Sequence, residues 1–368
     1  MKIFSYPPKL KTHLDILKIL AIFLVLLNHS TYYIFRVFAT ETEQPWHWLT
    51  LGHSAFIKAA VPLFLMASGA LLLGGNESYS RIFTKRVLRF ALTLAAVSLI
   101  LYVRKFQRFD LVDFLKALYL GNISTHLWYL YAYICMLLTL PFLRRMAQGM
   151  RLQDAAMLVF LTVLANGLQF CDHLFFQSAS THIWSFTFFT NTTYVIYPLL
   201  GYFLEYKLPR NRYNLETAIG LLLASLLALY VTCVMTDWRC KVDGGWTGGN
   251  EEAYLSSLVV FPAIAVYYTA KYWFLRHPVS QRTARVLFII ASCTFGTYLF
   301  EGVFRAWTPA VFDLLEPLVG SYFAAWLQML ASCVLGIALT FLFKYTVAFV
   351  KACFVTLIEK IKDAYYGE

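Results

Sequence analysis

"LDILKILAIFLVLLNHS" (residues 14–30) has the length and the apolar composition of a membrane-spanning helix, but it carries three ionisable side chains. At 100° per residue, Asp15, Lys18 and His29 fall within about 60° of one another on one helical face. Lipid exposure of such a face costs several kcal/mol, so we expect it to line a bundle interior or a wet cavity. Asp15 and His29 lie about 21 Å apart along the axis. The partner of Asp15 is therefore Lys18 or an arginine of the next cytoplasmic loop.

The composition of the chain is that of a multi-pass membrane protein. Of its 368 residues, 60% are hydrophobic and 14% are charged, whereas soluble domains carry about 25% charged residues. Lipid cannot satisfy exposed backbone groups, so long apolar runs without alternation predict helices and not barrel strands. We predict an all-α bundle that forms one membrane-embedded domain over residues 1–368, without a fused soluble domain. The predicted spans are 14–34, 53–73, 86–103, 126–143, 153–170, 190–206, 216–235, 254–275, 286–306 and 322–343.

The distribution of basic residues predicts the orientation of these ten helices. Lys and Arg concentrate near both termini and in every second loop, at 81–89, 144–151, 207–212 and 271–285. The positive-inside rule then places the N- and C-termini in the cytoplasm and the protein in the cell membrane. Topology and anionic lipid headgroups also explain the net charge of +11 without nucleic acid.

The outer connection 104–120 is predicted to contain an interfacial helix. Its apolar residues Leu111, Phe114, Leu115 and Leu118 share one helical face, and most of its charged residues lie elsewhere. Such a helix lies in the plane of the outer leaflet.

His29 is the first candidate for a functional residue. It is flanked by Asn28 and Ser30, and its imidazole is neutral near pH 7 unless its surroundings perturb it. An intramembrane histidine indicates a site, and a histidine that only packs is the alternative. Asp15 and Lys18 have two interpretations. They belong to a site, or Lys18 snorkels to the inner interface with Asp15 as its partner.

The chain resembles the acyltransferase 3 family in a series of segments. "LDILKILAIFLVLLNH" is similar to the first helix of that family, "LDGLRGLA…H". Ten residues separate Lys18 from His29, as in the family's basic-x10-His pattern, with Lys where Arg is usual. Further similar segments are "VPLFLMASGALLL" (61–73), "FTKRVLRF" (83–90), "HLWYLYAYICMLLTLPFLRR" (126–145), "YPLLGYFL" (197–204) and "CTFGTYLFEGVF" (293–304). The resemblance extends over nearly the whole chain.

The resemblance implies transfer of an acyl group, usually acetyl from cytoplasmic acetyl-CoA, to a hydroxyl of an extracytoplasmic polysaccharide or lipid-linked sugar. His29 would then act as a general base or take the acyl group itself. Basic residues at the inner side would neutralise the donor phosphates, although topology alone also explains them. The candidate donor-binding residues are Lys18, Arg81, Lys85, Arg86 and Arg89. No pair among the seven cysteines has metal-ligand spacing, so we expect acyl-CoA as donor substrate and no metal.

Glu301 stands where members of this family commonly carry a histidine, within "TYLFEGVFR" (297–305). The polar stripe around it consists of Thr294, Thr297, Tyr298, Glu301 and Arg305. In one interpretation Glu301 lies at the depth of His29 and orients the imidazole or binds the sugar. In the other, Glu301 forms an i,i+4 ion pair with Arg305 at the interface.

Aromatic and polar residues at the start of the fourth predicted span form the remaining candidates. His126 is a candidate for a second polar contact at the mouth of this helix. Trp128 either stacks on a sugar or belongs to the aromatic belt at the membrane surface. The supporting or acceptor-side candidates are Asp15, Asn28, His126, Trp128 and Tyr298.

A secondary transporter or flippase for a small polar or glycan substrate is the alternative function. Its path would be lined by the same intramembrane residues, Asp15, Lys18, His29 and Glu301. The sequence shows neither an internal repeat nor pairs of helices interrupted by Gly or Pro, which counts against a transporter. Besides donor and glycan, membrane lipid is the expected partner.

Overall fold

The computed structural model describes residues 10–29, 47–121, 123–176, 193–242, 244, 258–304 and 307–366, and the regular structure of these residues is entirely helical. The helices are α1 (Thr12–His29), α2 (His47–Ile57), α3 (Ala60–Leu72), α4 (Tyr79–Phe106), α5 (Leu111–Leu120), α6 (Trp128–Gly149), α7 (Leu152–Phe176), α8 (Thr193–Tyr202), α9 (Leu215–Val242), α10 (Val260–Arg276), α11 (Gln281–Phe304), α12 (Thr308–Val319) and α13 (Ser321–Tyr366). The all-α prediction is confirmed for this part of the chain.

Seven stretches of the described residues are long and apolar enough to cross a membrane. They are Thr12–His29, His47–Leu72, Tyr79–Phe106, Trp128–Gly149, Leu215–Val242, Gln281–Gly302 and Ser321–Cys353. The other three predicted spans, at 153–170, 190–206 and 254–275, overlap α7, α8 and α10. Residues 30–34, 190–192, 254–257 and 305–306 of the predicted spans lie outside the described residues. The chain is thus a multi-pass membrane protein, and the count of ten spans stays a prediction.

Helix α1 lies inside the bundle, in contact with α3, α10, α11 and α13. Leu14, Leu17 and Ala21 are fully buried, and Asp15 is only 4% exposed. The peripheral helices instead present rows of exposed apolar side chains, as α9 does with Leu223, which is expected of a surface that faces lipid. The polar face of α1 is therefore turned into the protein.

Helices α3 and α8 approach each other closely at two glycines. An ideal Cβ on Gly69 would lie 2.0 Å from the backbone oxygen of Pro198. One on Gly201 would lie 2.0 Å from the backbone oxygen of Met66. Small residues allow this backbone approach, which supplies the packing attraction that replaces the hydrophobic effect inside lipid.

The described residues include π-helical segments at Phe83–Val87, within α4, and at Phe203–Lys207, directly after α8. In the second segment, Glu205 forms ion pairs with Lys11 at 2.9 Å and Lys271 at 3.4 Å. His13 also contacts the Glu205 carboxylate, at 2.9 Å. Glu205 thus ties the beginning of α1 to α10 at the predicted cytoplasmic end of the bundle.

Helix α5 occupies most of the predicted interfacial segment 104–120. Asp110 caps its first turn by accepting a hydrogen bond from the backbone N–H of Asp113, and Gly121 ends it in the left-handed conformation. Phe114 is buried, whereas Leu111 and Leu115 are exposed apolar side chains. The position of α5 at the membrane surface stays a prediction.

Cysteine labelling in the loop after α8 tests the predicted orientation. Asn211 is exposed there and is predicted to face the cytoplasm. An Asn211→Cys variant should react with a membrane-impermeant maleimide only after permeabilisation. A Ser178→Cys variant should react in intact cells; Ser178 lies outside the described residues. The exposed Cys135 and Cys353 are replaced beforehand to remove background labelling. Reversed labelling at either position would contradict the orientation.

Candidate active site

The structure brings His29 and Glu301 into direct contact. His29 is the last residue of α1, and Glu301 lies in the final turn of α11, which packs along α1. His29 Nδ1 is 2.6 Å from Glu301 Oε2. Glu301 is 2% exposed and belongs to a buried polar stripe on α11 that also contains Thr294 and Thr297. The alternative partner Arg305 lies outside the described residues.

The contact has a direct chemical consequence for His29. A carboxylate next to Nδ1 favours the tautomer in which Nδ1 carries the proton and Nε2 has a lone pair. The same carboxylate stabilises the imidazolium that forms when Nε2 takes a proton. This arrangement suits His29 for proton abstraction from a hydroxyl group.

His126 and Tyr298 pack against each other beside the His29–Glu301 pair. The Tyr298 hydroxyl donates a hydrogen bond to the backbone oxygen of His126, and the two rings meet edge to face. Ser124 Oγ lies 2.7 Å from His126 Nδ1, which restrains the ring. Gly302 permits the approach, because an ideal Cβ there would lie 2.8 Å from His126 Cε1. His126 is therefore packed next to the residue that follows Glu301.

Trp128 lies at the start of α6, close to His126 and Tyr298. Its side chain is 46% exposed and meets Tyr129 edge to face. Tyr129 in turn contacts Tyr298. This exposure fits both interpretations of Trp128, a sugar platform and an aromatic belt.

Asp15 and Asn28, two further polar residues of α1, each contact a lysine side chain. Lys18 Nζ is 2.7 Å from Asp15 Oδ1, so the structure selects Lys18 as the partner of Asp15. Asn28 Oδ1 accepts a hydrogen bond of 2.9 Å from Lys58. Lys58 lies between α2 and α3, at the break in a predicted span, and nothing in the sequence pattern singled it out. Lys58 places an ammonium group next to Asn28, the residue that precedes His29.

Glu77 holds one residue of the predicted donor-binding cluster, Arg86. The sequence did not single out Glu77, because loop carboxylates are usually solvated. Arg86 donates hydrogen bonds to both Glu77 oxygens, the shortest at 2.6 Å, and Arg144 reaches Glu77 Oε2 at 2.8 Å. The hydrogen bonds from Arg86 hold the pKa of Glu77 below its usual value. Glu77 is therefore a carboxylate shared by Arg86 and Arg144, one negative charge between two positive ones. Arg81, Lys85 and Arg89 are exposed.

Among the residues that the structure describes, no three His, Cys, Asp or Glu side chains are grouped so as to hold a metal ion. The fold and the site define a multi-pass membrane protein with a partly buried His–Glu pair in its helix bundle. The model of the acyltransferase domain family Acyl_transf_3 matches residues 12–345. The chain belongs to this family and is thus a membrane acyltransferase. No curated protein and no solved structure shows significant similarity to the chain.

Proposed function

We propose that the protein transfers an acyl group, in the first instance acetyl, from cytoplasmic acyl-CoA to a hydroxyl of an extracytoplasmic polysaccharide or lipid-linked sugar. The observation that carries the proposal is the 2.6 Å contact between His29 Nδ1 and Glu301 Oε2. A histidine whose Nδ1 is held by a carboxylate recurs in unrelated enzymes that activate a hydroxyl for acyl transfer. Membership of the acyltransferase family supports the same reaction class.

In the proposed reaction, His29 is the general base. Its Nε2 takes the proton of the acceptor hydroxyl while the hydroxyl oxygen attacks the thioester carbonyl carbon. The ester C–O bond forms, the C–S bond breaks, and the proton passes from His29 to the sulfur of CoA. Glu301 maintains the Nδ1–H tautomer and stabilises the transient imidazolium. If His29 instead carried the acyl group, donor alone would produce an acyl-histidine that mass spectrometry detects.

Glu301 has a second oxygen that supports acceptor binding at this site. Oε1 is buried and makes no hydrogen bond to any described residue. Buried acceptors normally have a donor, so an unpaired one indicates a missing partner. We assign a hydroxyl of the acceptor to Glu301 Oε1. In this assignment His126 and Tyr298 border the acceptor, and Trp128 offers it an aromatic face.

The donor is assigned to the opposite end of α1. Acyl-CoA is a polyanion, and basic side chains lie at the predicted cytoplasmic end of the bundle. Lys18 and His29 lie about 16 Å apart along α1, a separation that suits an extended acyl-pantetheine arm. The family assignment and this separation favour a transferase over a transporter or flippase.

Thermal unfolding of the purified protein with acetyl-CoA tests the proposal. A bound ligand at 100 times its Kd stabilises the folded state by about 2.7 kcal/mol, so we expect Tm to rise by about 2–4 °C. ATP at the same concentration is the control for a general effect of nucleotides. Mass spectrometry of surface glycans from cells with and without the gene then identifies the acylated product. No shift with acetyl-CoA, together with unchanged glycans, would contradict the proposed function.

A further inference from the structure

Helix α12 (Thr308–Val319) lies between α11 and α13, which both contain stretches long and apolar enough to cross a membrane. These two helices are antiparallel, since Lys344 contacts Ser292 and Thr340 contacts Gly296, one turn further along α11. α12 therefore lies at the membrane surface where α11 ends and α13 begins. Its 12 residues extend over about 18 Å, too short a distance to cross about 30 Å of hydrocarbon.

One side of α12 is a row of exposed apolar side chains. Trp307, which directly precedes the helix, is 75% exposed, and Leu314 and Leu318 are 71% and 75% exposed. Together with Val311 they follow the spacing i, i+4, i+7, i+11, and at 100° per residue they fall within about 60° of one another. We call these four residues the apolar row. An exposed apolar surface of this kind indicates contact with a membrane or with another protein.

The other two sides of α12 have different surroundings. Phe312 is fully buried and Leu315 is partly buried where α12 packs on α13. Asp313 and Glu316 lie more than about 100° round the helix from the apolar row. Glu316 accepts a hydrogen bond of 2.6 Å from the hydroxyl of Ser321, the first residue of α13. The helix therefore has a protein side, a polar side and an apolar side, and its contacts with α13 fix which side is which.

The acyl chains of lipid are the partner that fits the apolar row. Helix α13 exposes a row with the same spacing, made of Phe323, Leu327, Leu330 and Val334, and in a membrane span such a row faces acyl chains. Trp307 stands at the beginning of α12, and tryptophan is enriched where membrane meets water. Residues 308–319 include no Lys, Arg or His, so α12 offers no cation to an anionic headgroup.

We propose that α12 is an in-plane membrane anchor that lies in the leaflet at the His29–Glu301 end of the bundle, with its apolar row among the lipid acyl chains. Asp313 and Glu316 then face headgroups or water. Helices of this kind bury their apolar side about 5–10 Å into the boundary between headgroups and acyl chains. The inference does not depend on the proposed reaction. It has a consequence for the site, because Glu301 lies only six residues before Trp307 and the anchor sets the depth of this end of α11.

Spin labels at single cysteines test the inference. The full-length protein, with the exposed Cys135 and Cys353 replaced, is labelled in the variants Leu314→Cys, Leu318→Cys and Asp313→Cys and placed in phosphatidylcholine vesicles. Electron paramagnetic resonance compares collisions of each label with oxygen, which is enriched among acyl chains, and with a water-soluble nickel chelate present on both sides. The oxygen-to-nickel ratio should be several times higher at positions 314 and 318 than at position 313.

Leu330→Cys is the reference for a lipid-facing position, because Leu330 is 44% exposed within a candidate span. Its ratio should resemble those at positions 314 and 318. Vesicles that contain phosphatidylglycerol should give the same ratios, because α12 has no basic residue.

Three outcomes would overturn the inference. Nickel access at position 314 equal to that at position 313 would show that the apolar row faces water. Low collision rates with both reagents, together with dipolar broadening between labels, would show that a second copy of the chain covers the row. An oxygen-to-nickel ratio that rises only with phosphatidylglycerol would identify anionic headgroups, and not acyl chains, as the partner.

Discussion

His29→Ala is expected to reduce acyl transfer to the level of membranes that lack the protein, because the group that takes the hydroxyl proton is removed. Glu301→Gln should lower turnover by about 10²-fold or more, the scale expected when acid–base assistance is lost. The glutamine keeps the shape of Glu301 but carries no charge to stabilise the imidazolium. Transfer is measured as radiolabel that passes from acetyl-CoA into envelope material of native membranes.

The double variant separates catalysis from a structural role. Because His29 and Glu301 act as a unit, the double variant should be little worse than His29→Ala alone. All three variants should retain the Tm shift with acetyl-CoA, because the donor is proposed to bind near Lys18, about 16 Å from His29 along α1. If the contact between Glu301 and His29 were only structural, Glu301→Gln would lower Tm and leave turnover intact. Full activity of Glu301→Gln would falsify the assigned role of this carboxylate.

Gly201→Ala is expected to prevent folding, which is the largest effect on stability that we predict. Its new Cβ would lie 2.0 Å from the Met66 backbone oxygen and 2.5 Å from the Met66 Cα. Backbone atoms of a packed helix cannot move aside as a flexible side chain does. The cost should exceed the about 1–3 kcal/mol that is typical of overpacking and consume much of the stability of the fold. Gly69→Ala, which meets Pro198 in the same way, should behave alike.

Size-exclusion chromatography of detergent extracts measures this effect as loss of the monodisperse peak. Gly220→Ala is the matched control, because an added Cβ there has no atom within 4 Å. Gly220 lies within α9, so alanine should maintain or raise stability by up to about 1 kcal/mol. Recovery of Gly201→Ala at the level of Gly220→Ala would show that α3 and α8 are further apart than the structure has them.

The sequence alone determined the class of the protein and the approximate places of its long apolar helices. It did not predict α12, which lies between two predicted spans. Long apolar runs must form helices in lipid because the bilayer supplies no hydrogen bonds to the backbone. The same reasoning turned the polar face of α1 inward, and Asp15 is indeed buried. The family resemblance carried by Lys18, His29 and the later segments is confirmed by the match over residues 12–345. The orientation and the catalytic roles stay predictions.

The sequence also placed His29 and Glu301 near the same end of their helices, but it left two partners open for Glu301. Their contact joins residues 272 positions apart. It requires α1 and α11 to be neighbours with the two side chains turned toward each other. Helical periodicity states which face of a helix is polar, whereas the neighbour of that face depends on how all the helices pack.

The tertiary structure alone decided which charges meet. Glu77 forms ion pairs with Arg86 and with Arg144, and so joins two arginines that lie far apart in the sequence. Lys344 of α13 donates hydrogen bonds to Ser292 of α11, a contact between residues 52 positions apart. The reason is physical. The apolar composition of a segment predicts by itself that the segment forms a membrane helix. An electrostatic contact instead depends on the distance between two helices, and the sequence of one helix does not determine that distance.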